Sequence, residues 1–291
     1  DTRNKILHTF INIFKEIYNL KRTLIDSTNL IIHMKKIFES SESKLEGENE
    51  VFILSYLGIY EDNMGRYDKA LDFYNKSYNM SLRVFSNNPN HHHIGTCLMN
   101  IGTIYSIKND FENALKFIQQ SYDVRIKAYS DNPNHPHIAY SLNSLGTVYD
   151  KLGDFDKALM YYEESHKIRK IHHSNNPNHI DIAIILNKIG LIYSQKKNFE
   201  KAMEYLENSL KILNIIFDNN NKNPHIIYSL YCNGIIYERT GNLEKALELY
   251  QKSYDNAVDA FKDNKNHPYI IDSLNRINRI KKKINEFINS S

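Results

Sequence analysis

The histidines are the residues best placed to do chemistry in this chain of 291 residues, which holds 13 of them. Most stand in a recurring setting: "NPNHHHI" (88–94), "NPNHPHI" (132–138), "NPNHIDI" (176–182), "NPHII" (223–227) and "NHPYI" (266–270). Imidazole ligates zinc and exchanges protons near neutral pH. The spacing argues against a compact site. His91, His135, His179 and His267 are 44 residues apart or a multiple of it, and His93, His137 and His225 run parallel to them. A series at a fixed step forms a ladder along an edge, and neighbouring helices pack about 8–10 Å apart. One loop offers His-x-His at most, whereas a structural zinc takes four ligands. The stretch "HHHI" at 91–94 is richest, but no Cys or carboxylate is close to it in sequence. These loops therefore read as helix entries, in which Asn caps and Pro suits the first turn. No metal and no cofactor are expected. Weak metal binding and a pH-sensitive histidine edge stand as the alternatives.

Nucleophilic catalysis needs a Ser or Cys beside a His and an orienting acid. The serines at 77, 121, 165, 209 and 253 recur every 44 residues on what reads as a buried helical stripe. Cys97 and Cys232 fall near apolar positions and read as packing residues. Phosphate loops, dinucleotide fingerprints, HExxH and CxxC are all missing from the sequence. Paired carboxylates at 61–62 and 163–164 sit on solvated faces. No enzyme activity is expected. The net charge of +3 does not argue for nucleic acid, and the 21 tyrosines, which could stack on bases, fall mostly at repeat positions. The basic tail "RINRIKKKINEF" reads as a charged capping face. No apolar run is long enough to span a membrane, no signal architecture opens the chain, and two cysteines make no disulfide framework. The expected location is cytoplasmic.

What must position these residues is a repeat. Glycines at 58, 102, 146, 190 and 234, alanines at 70, 114, 158, 202 and 246, and leucines at 54, 98, 142, 186, 230 and 274 each step by 44. In the third copy, Leu142, Leu145, Val148, Tyr149 and Leu152 make one helical stripe. Phe155, Ala158, Tyr161, Tyr162, Ser165 and Ile168 make a second. Each unit therefore reads as a first helix, a turn, a second helix and a return loop. A mid-helix Gly costs about 0.5–1 kcal/mol relative to Ala. Five such glycines imply a close helix–helix approach, with the recurring Ala expected opposite. The turn carries Gly65, Asn109, Gly153, Lys197 and Gly241, where Gly and Asn suit a left-handed helix end and Lys197 departs.

The pattern Leu-x-x-Leu-Gly-x-x-Tyr, then Ala, then an aromatic residue resembles the tetratricopeptide repeat. It is most similar to the long variety of kinesin light chains, in which a similar "NHP"-like loop precedes each first helix. The usual Trp is Leu in every copy, Glu61 replaces the motif Tyr in the first, and Ser replaces a second Ala in all five. The resemblance implies an all-α, right-handed superhelical solenoid of antiparallel helix hairpins with a 44-residue period. It also implies a concave groove lined by the first helices. Carried onto this sequence, the groove positions include Thr96, Met99, Thr103, Tyr140, Asn143, Thr147, Asp150, Lys151, Ile184, Asn187, Leu191, Tyr228, Tyr231 and Ile235. Asn143 and Asn187, one repeat apart, could bond both donors and acceptors of a peptide backbone.

The ends read as caps. Residues 1–50 hold a degenerate first repeat and a polar loop, 51–268 five repeats, and 269–291 a capping helix. The expected function is a non-catalytic scaffold that binds a partner protein through an extended or helical peptide segment. The alternative is a regulatory or sensing arm of a larger signalling or effector protein. Neither a membrane nor a nucleic-acid partner is expected, and self-association stays open.

Overall fold

The computed structural model describes residues 47–262 and 264–290. The expected degenerate repeat over 4–40 lies outside the described residues. Among those described, every regular element is an α-helix. The chain divides into two compact units, 1–133 and 134–291. The first contains α1 (Glu48–Asn63), α2 (Tyr67–Val84), α3 (His92–Ile107) and α4 (Phe111–Ala128). The second contains α5 (Pro136–Lys151), α6 (Phe155–His172), α7 (Ile180–Gln195), α8 (Phe199–Ile216), α9 (Pro224–Arg239), α10 (Leu243–Ala260) and α11 (Pro268–Ser290). Consecutive odd and even helices pair as hairpins, and within each unit one hairpin packs on the next.

The mid-helix glycines sit where a Cβ would collide. A Cβ on Gly146 would come 2.7 Å from the Tyr162 ring and 3.2 Å from the Ala158 carbonyl oxygen. On Gly190 it would meet Leu206 Cγ at 2.7 Å, and on Gly102 Ile118 Cγ1 at 2.6 Å. The side chain pressed onto the glycine is thus the residue four after the recurring Ala, while the Ala contributes its backbone. Ala70, Ala114, Ala158, Ala202 and Ala246 are all fully buried. The motif tyrosines stack across the same hairpins: Tyr105 on Phe117, Tyr149 on Tyr161 and Tyr193 on Tyr205, each with centroids 5.5 Å apart. Glu61, which replaces the first Tyr, is buried and pairs with Arg66 Nε at 2.6 Å.

The recurring serines have a structural task. Each Oγ donates to a carbonyl oxygen 26 residues earlier on the partner helix: Ser77 to Val51, Ser121 to Gly95, Ser165 to Ala139, Ser209 to Ala183 and Ser253 to Ile227, at 2.6–3.0 Å. All five are fully buried. A hydroxyl in so tight a site needs an acceptor, and the helical carbonyl has a second lone pair to give.

The ends of the helices are specified side chain by side chain. Asp110, Asp154, Asn198 and Asn242 cap the second helices by accepting from the N–H three residues on. The turns before them all take a left-handed residue: Gly65 at φ 69°, Asn109 at 61°, Gly153 at 78°, Lys197 at 61° and Gly241 at 84°. Lys197 departs in residue type and not in conformation. That backbone costs a residue with a Cβ about 1–2 kcal/mol.

Two outcomes follow for stability. Lys197→Gly should raise stability by about 1 kcal/mol, read by urea unfolding, since glycine adopts this φ without strain; an unchanged or lower midpoint contradicts that account. Ser209→Ala should lower it by about 1 kcal/mol, the net worth of a typical hydrogen bond; a neutral effect would show that the hydroxyl only fills space.

Candidate functional site

Within the second unit the first helices α5, α7, α9 and α11 present a face of mixed polarity. Its most constrained point is Thr147. Its Oγ1 donates to the Asn143 carbonyl at 2.9 Å and accepts from Tyr162 Oη at 3.2 Å and from Lys188 Nζ at 2.8 Å. The Lys188 ammonium also lies 5.3 Å from the centre of the Tyr162 ring. Lys188 stands on α7, one repeat beyond Thr147 on α5. Burial drives its pKa down to about 8, against the opposing charge of Asp150. Asp150 is in turn pushed above the usual carboxylate range by its own burial, with Lys188 pulling the other way. Beside them, Asn143 Oδ1 is buried and accepts no hydrogen bond from any described residue.

The other expected groove residues divide into groups. Tyr140 and Lys151 are exposed, Tyr140 by 45%. Ile184 is half-buried, and Leu191, Tyr228, Tyr231 and Ile235 pack at the edge of a core built on Ile189, Ile192, Leu206 and Ile236. Asn187 is only 3% exposed, and its Oδ1 accepts from Ser229 Oγ at 3.2 Å. It joins α7 to α9 rather than facing solvent, so the expected pairing of Asn143 with Asn187 as two open amides is not what the structure shows. Tyr231 Oη accepts from Arg276 Nε at 3.2 Å. In the first unit, Thr96 and Thr103 are half-buried and donate to carbonyls of their own helix, those of His92 and Met99. Met99 is buried at 1% exposure, contrary to the expectation of an exposed groove side chain.

The loop histidines are helix caps. Nδ1 of His91, His135, His179 and His267 accepts from the backbone N–H two residues on, at 3.2–3.4 Å, and Asn223 Oδ1 does the same at 2.9 Å. The cap is therefore the histidine, not the asparagine before it. His91 stacks on Phe85 and His267 on Phe261, in both cases with centroids 3.6 Å apart. The equivalent of that Phe before α7 is His173, and it brings a second imidazole beside His179. With Asp181 these form the one group of metal-competent side chains found among the described residues, their ligand atoms all within 4.8 Å of one another. The cysteines are inert by placement: both are buried free thiols, and burial pushes Cys232 up to about 12.

Tetratricopeptide repeat models match residues 53–127 and 126–171, and a further one matches 183–212. The chain belongs to the tetratricopeptide repeat (TPR) family. Several solved structures share its fold. The Rap protein complexed with competence and sporulation factor is 14% identical with a TM-score of 0.68, over 97% of this chain and 76% of that one. The apo form of the quorum sensor NprR from B. thuringiensis is 16% identical with a TM-score of 0.67, over 94% and 70%. NprR in complex with its cognate peptide NprX is 16% identical with a TM-score of 0.64, over 98% and 74%. A putative kinesin light chain from Podosopora anserina, described as nearly identical TPR-like repeats, is 15% identical with a TM-score of 0.58, over 74% and 99%. No curated protein matches the sequence. Among the described residues, no helix of this TPR chain is long and apolar enough to cross a membrane.

Two features of this TPR face were missed from sequence. Lys188 lies two residues before the motif glycine, outside the positions that the family's groove implies. Its signal was there to find: it is the single cation inside the apolar run "IAIILNKIGLIY". The basic tail is exposed at Arg279 and Lys281 to Lys283, as its charge implies, but Arg276, Arg279 and Lys283 also reach Glu238, whose side chain is 5% exposed. Tyr250 Oη also donates to that carboxylate at 3.0 Å. Burial alone would raise Glu238, but the hydrogen bonds from Arg279 and Tyr250, with the charges of Arg279 and Arg276, outweigh it and hold the carboxyl low.

The Lys188 environment yields a pH signature. Its folded pKa lies below the ~10.4 of an unfolded lysine. Between about pH 8 and 10 the unfolded chain therefore binds more protons than the folded one, and stability rises with pH in that window. From pH 8 to 9.5 the wild type should gain about 1–2 kcal/mol relative to Lys188→Met, measured by denaturant unfolding followed by helical dichroism. A pH-independent difference would show that the folded protein keeps that proton.

Proposed function

We propose that this TPR chain is a non-catalytic scaffold that binds a peptide segment of a partner protein against the first helices of its second unit. The observation that carries the reading is Asn143, a half-buried amide whose Oδ1 has no donor among the described residues and which a turn of its side chain would present to a ligand. Such a group is costly unless something bonds it, and a peptide N–H is the donor that an extended or helical segment brings. Around it stand an exposed aromatic ring at Tyr140, the polar side chains of Asp150 and Lys151, and half-buried apolar residues at Ile184 and Leu191. That combination of a few fixed polar groups among apolar contacts suits peptide capture. The solved complex of NprR with its cognate peptide, on the same fold, lends it support. The buried free thiols fit a reducing, cytoplasmic setting.

A peptide-display selection on the immobilised chain, followed by fluorescence anisotropy of the enriched peptides, tests this. Asn143→Ala should weaken binding up to about tenfold, the worth of one hydrogen bond, and Tyr140→Ala should weaken it too. Met160→Ala, at a 51% exposed position on α6, should leave it unchanged. No enriched peptide, or equal binding by all variants, refutes the reading.

A second reading, the sensing arm of a longer regulatory protein, is favoured by one fact. This chain covers 70% of the quorum sensor NprR and 76% of the Rap protein, so both carry further parts. Sequencing the whole reading frame around this segment tests it; a frame that encodes no additional domain removes the idea.

A further inference from the structure

We propose that the loop joining α6 to α7 is a zinc site, with His173, His179 and Asp181 as its protein ligands. The case begins with two departures from the repeat that fall side by side. At the position of His173 the other copies carry Phe85, Tyr129, Phe217 and Phe261. At the position of Asp181 they carry His93, His137, His225 and Tyr269. Each change alone would be unremarked drift. Together, in one copy, they turn an aromatic stack into two imidazoles and a carboxylate.

The three ligand groups lie within reach of one metal. The two rings stack with centroids 3.6 Å apart and planes 12° from parallel, the spacing that Phe85 and Phe261 keep with their capping histidines. Asp181 Oδ2 lies 3.5 Å from His173 Nε2 and 3.7 Å from His179 Nδ1. Zinc bonds of about 2.0–2.1 Å in a tetrahedron hold ligand atoms roughly 3.4 Å apart and lie in the ring planes, so binding requires the two imidazoles to turn out of their parallel stack toward Asp181. His173 Nε2 is buried and makes no hydrogen bond. The other carboxylate oxygen, Oδ1, is held by Arg169 Nη1 at 3.3 Å, which leaves Oδ2 turned toward the imidazoles. Arg169 is itself fixed through Nε to Ser165 Oγ at 3.2 Å and through Nη1 to the Asp181 carbonyl at 3.3 Å. A cation fixed in this way orients the carboxylate that would ligate the metal. His179 Nδ1 also accepts from the Asp181 N–H at 3.2 Å, and coordination there exchanges that cap for a metal bond. All three ligands are half-buried, so water can take the fourth position. Two imidazoles with one carboxylate favour a transition ion such as zinc over magnesium or calcium, which prefer oxygen-only sets.

The experiment is calorimetric titration of the tag-free, chelator-treated full chain with zinc chloride, with cobalt(II) as a spectroscopic stand-in. One zinc per chain should bind with a micromolar or tighter dissociation constant, and cobalt should give the intense visible absorption of tetrahedral coordination. His173→Phe restores the residue found at 85, 217 and 261, so its fold should be kept. It should weaken zinc by about tenfold or more, as should Asp181→Asn. Helical dichroism and the metal-free melting temperature of each variant show that the fold is intact. Should one variant fail to fold, the other decides. No zinc binding by the wild type, or undiminished binding by a folded variant, which would place the metal at other histidines such as 91–93, overturns the assignment.

Discussion

Everything in this chain depends on how closely the two helices of a hairpin approach each other. At Gly146 the backbone of α5 comes near enough to Tyr162 and to the Ala158 carbonyl that even one methyl carbon would not fit. Dispersion falls off steeply with separation, so a hairpin closed to this distance gains contact along its whole length. The glycine weakens its own helix by about 0.5–1 kcal/mol, and only the packing returns that loss. The buried serine two turns further on adds direction to the contact. Its hydrogen bond to a carbonyl 26 residues earlier fixes the axial register of one helix against the other. Fully buried alanines, glycines and serines leave no freedom of size, so the same small residues return in all five copies.

Once the hairpin interior is fixed, variation moves to the contacts between hairpins. In the second unit no two junctions between first helices use the same pair. Lys188 reaches Thr147. Ser229 donates to Asn187, and Arg239 to Ser194 and Gln195. Arg276 holds Tyr231 and Glu238. In a stack of near-identical units, where each contacts only its neighbours, apolar faces alone would fit many orders. A different polar pairing at each step penalises the wrong neighbour, because a half-satisfied buried group costs more than an apolar one. The Glu238 cluster shows the same logic at the end of the array. Three cations and a tyrosine hydroxyl converge on one shielded carboxylate, and so α11 is held by charge as well as by Ile277 and Ile280.

The parts of the structure that were legible in the sequence are those governed by size and period. Glycines, alanines and serines at a constant step announce helix pairs, since only a repeated close contact rewards them. The left-handed turns were legible wherever Gly or Asn stood, but Lys197 shows that context can impose the conformation on a residue that resists it. Side-chain direction was much less legible. Asn143 and Asn187 occupy equivalent positions, yet Asn187 finds Ser229 on the next helix while Asn143 Oδ1 finds no donor. The difference lies in a residue 42 positions away, which no local pattern reports. Arg276, Arg279 and Lys283 read as a solvated face because helical charge patterns do not reveal an acid on a neighbouring helix.

The return loops draw these lines together. Their backbone is set by a turn in which the N–H of Asn88, Asn176, Asn220 or Asn264 bonds the carbonyl three residues earlier, and by a cap at the start of the next helix. That geometry survives with either His or Asn as the capping residue and with Phe or His stacked near it. A scaffold so indifferent to its side chains is free to hold different ones without loss of fold. The aromatic residue at the end of a second helix lays a flat ring against the capping histidine at Phe85, His173 and Phe261, and at Phe85, Phe217 and Phe261 it also packs on an apolar cluster. Imidazole supplies the same flat surface and adds a nitrogen, so His173 keeps the stack that Phe85 and Phe261 make while placing a potential metal ligand beside the Asp181 carboxylate. Stacking uses the face of the ring in the metal-free loop, and ligation would use the nitrogen at its edge once the ring turns. For that reason a chemical site can arise in a single copy while the repeat around it stays intact.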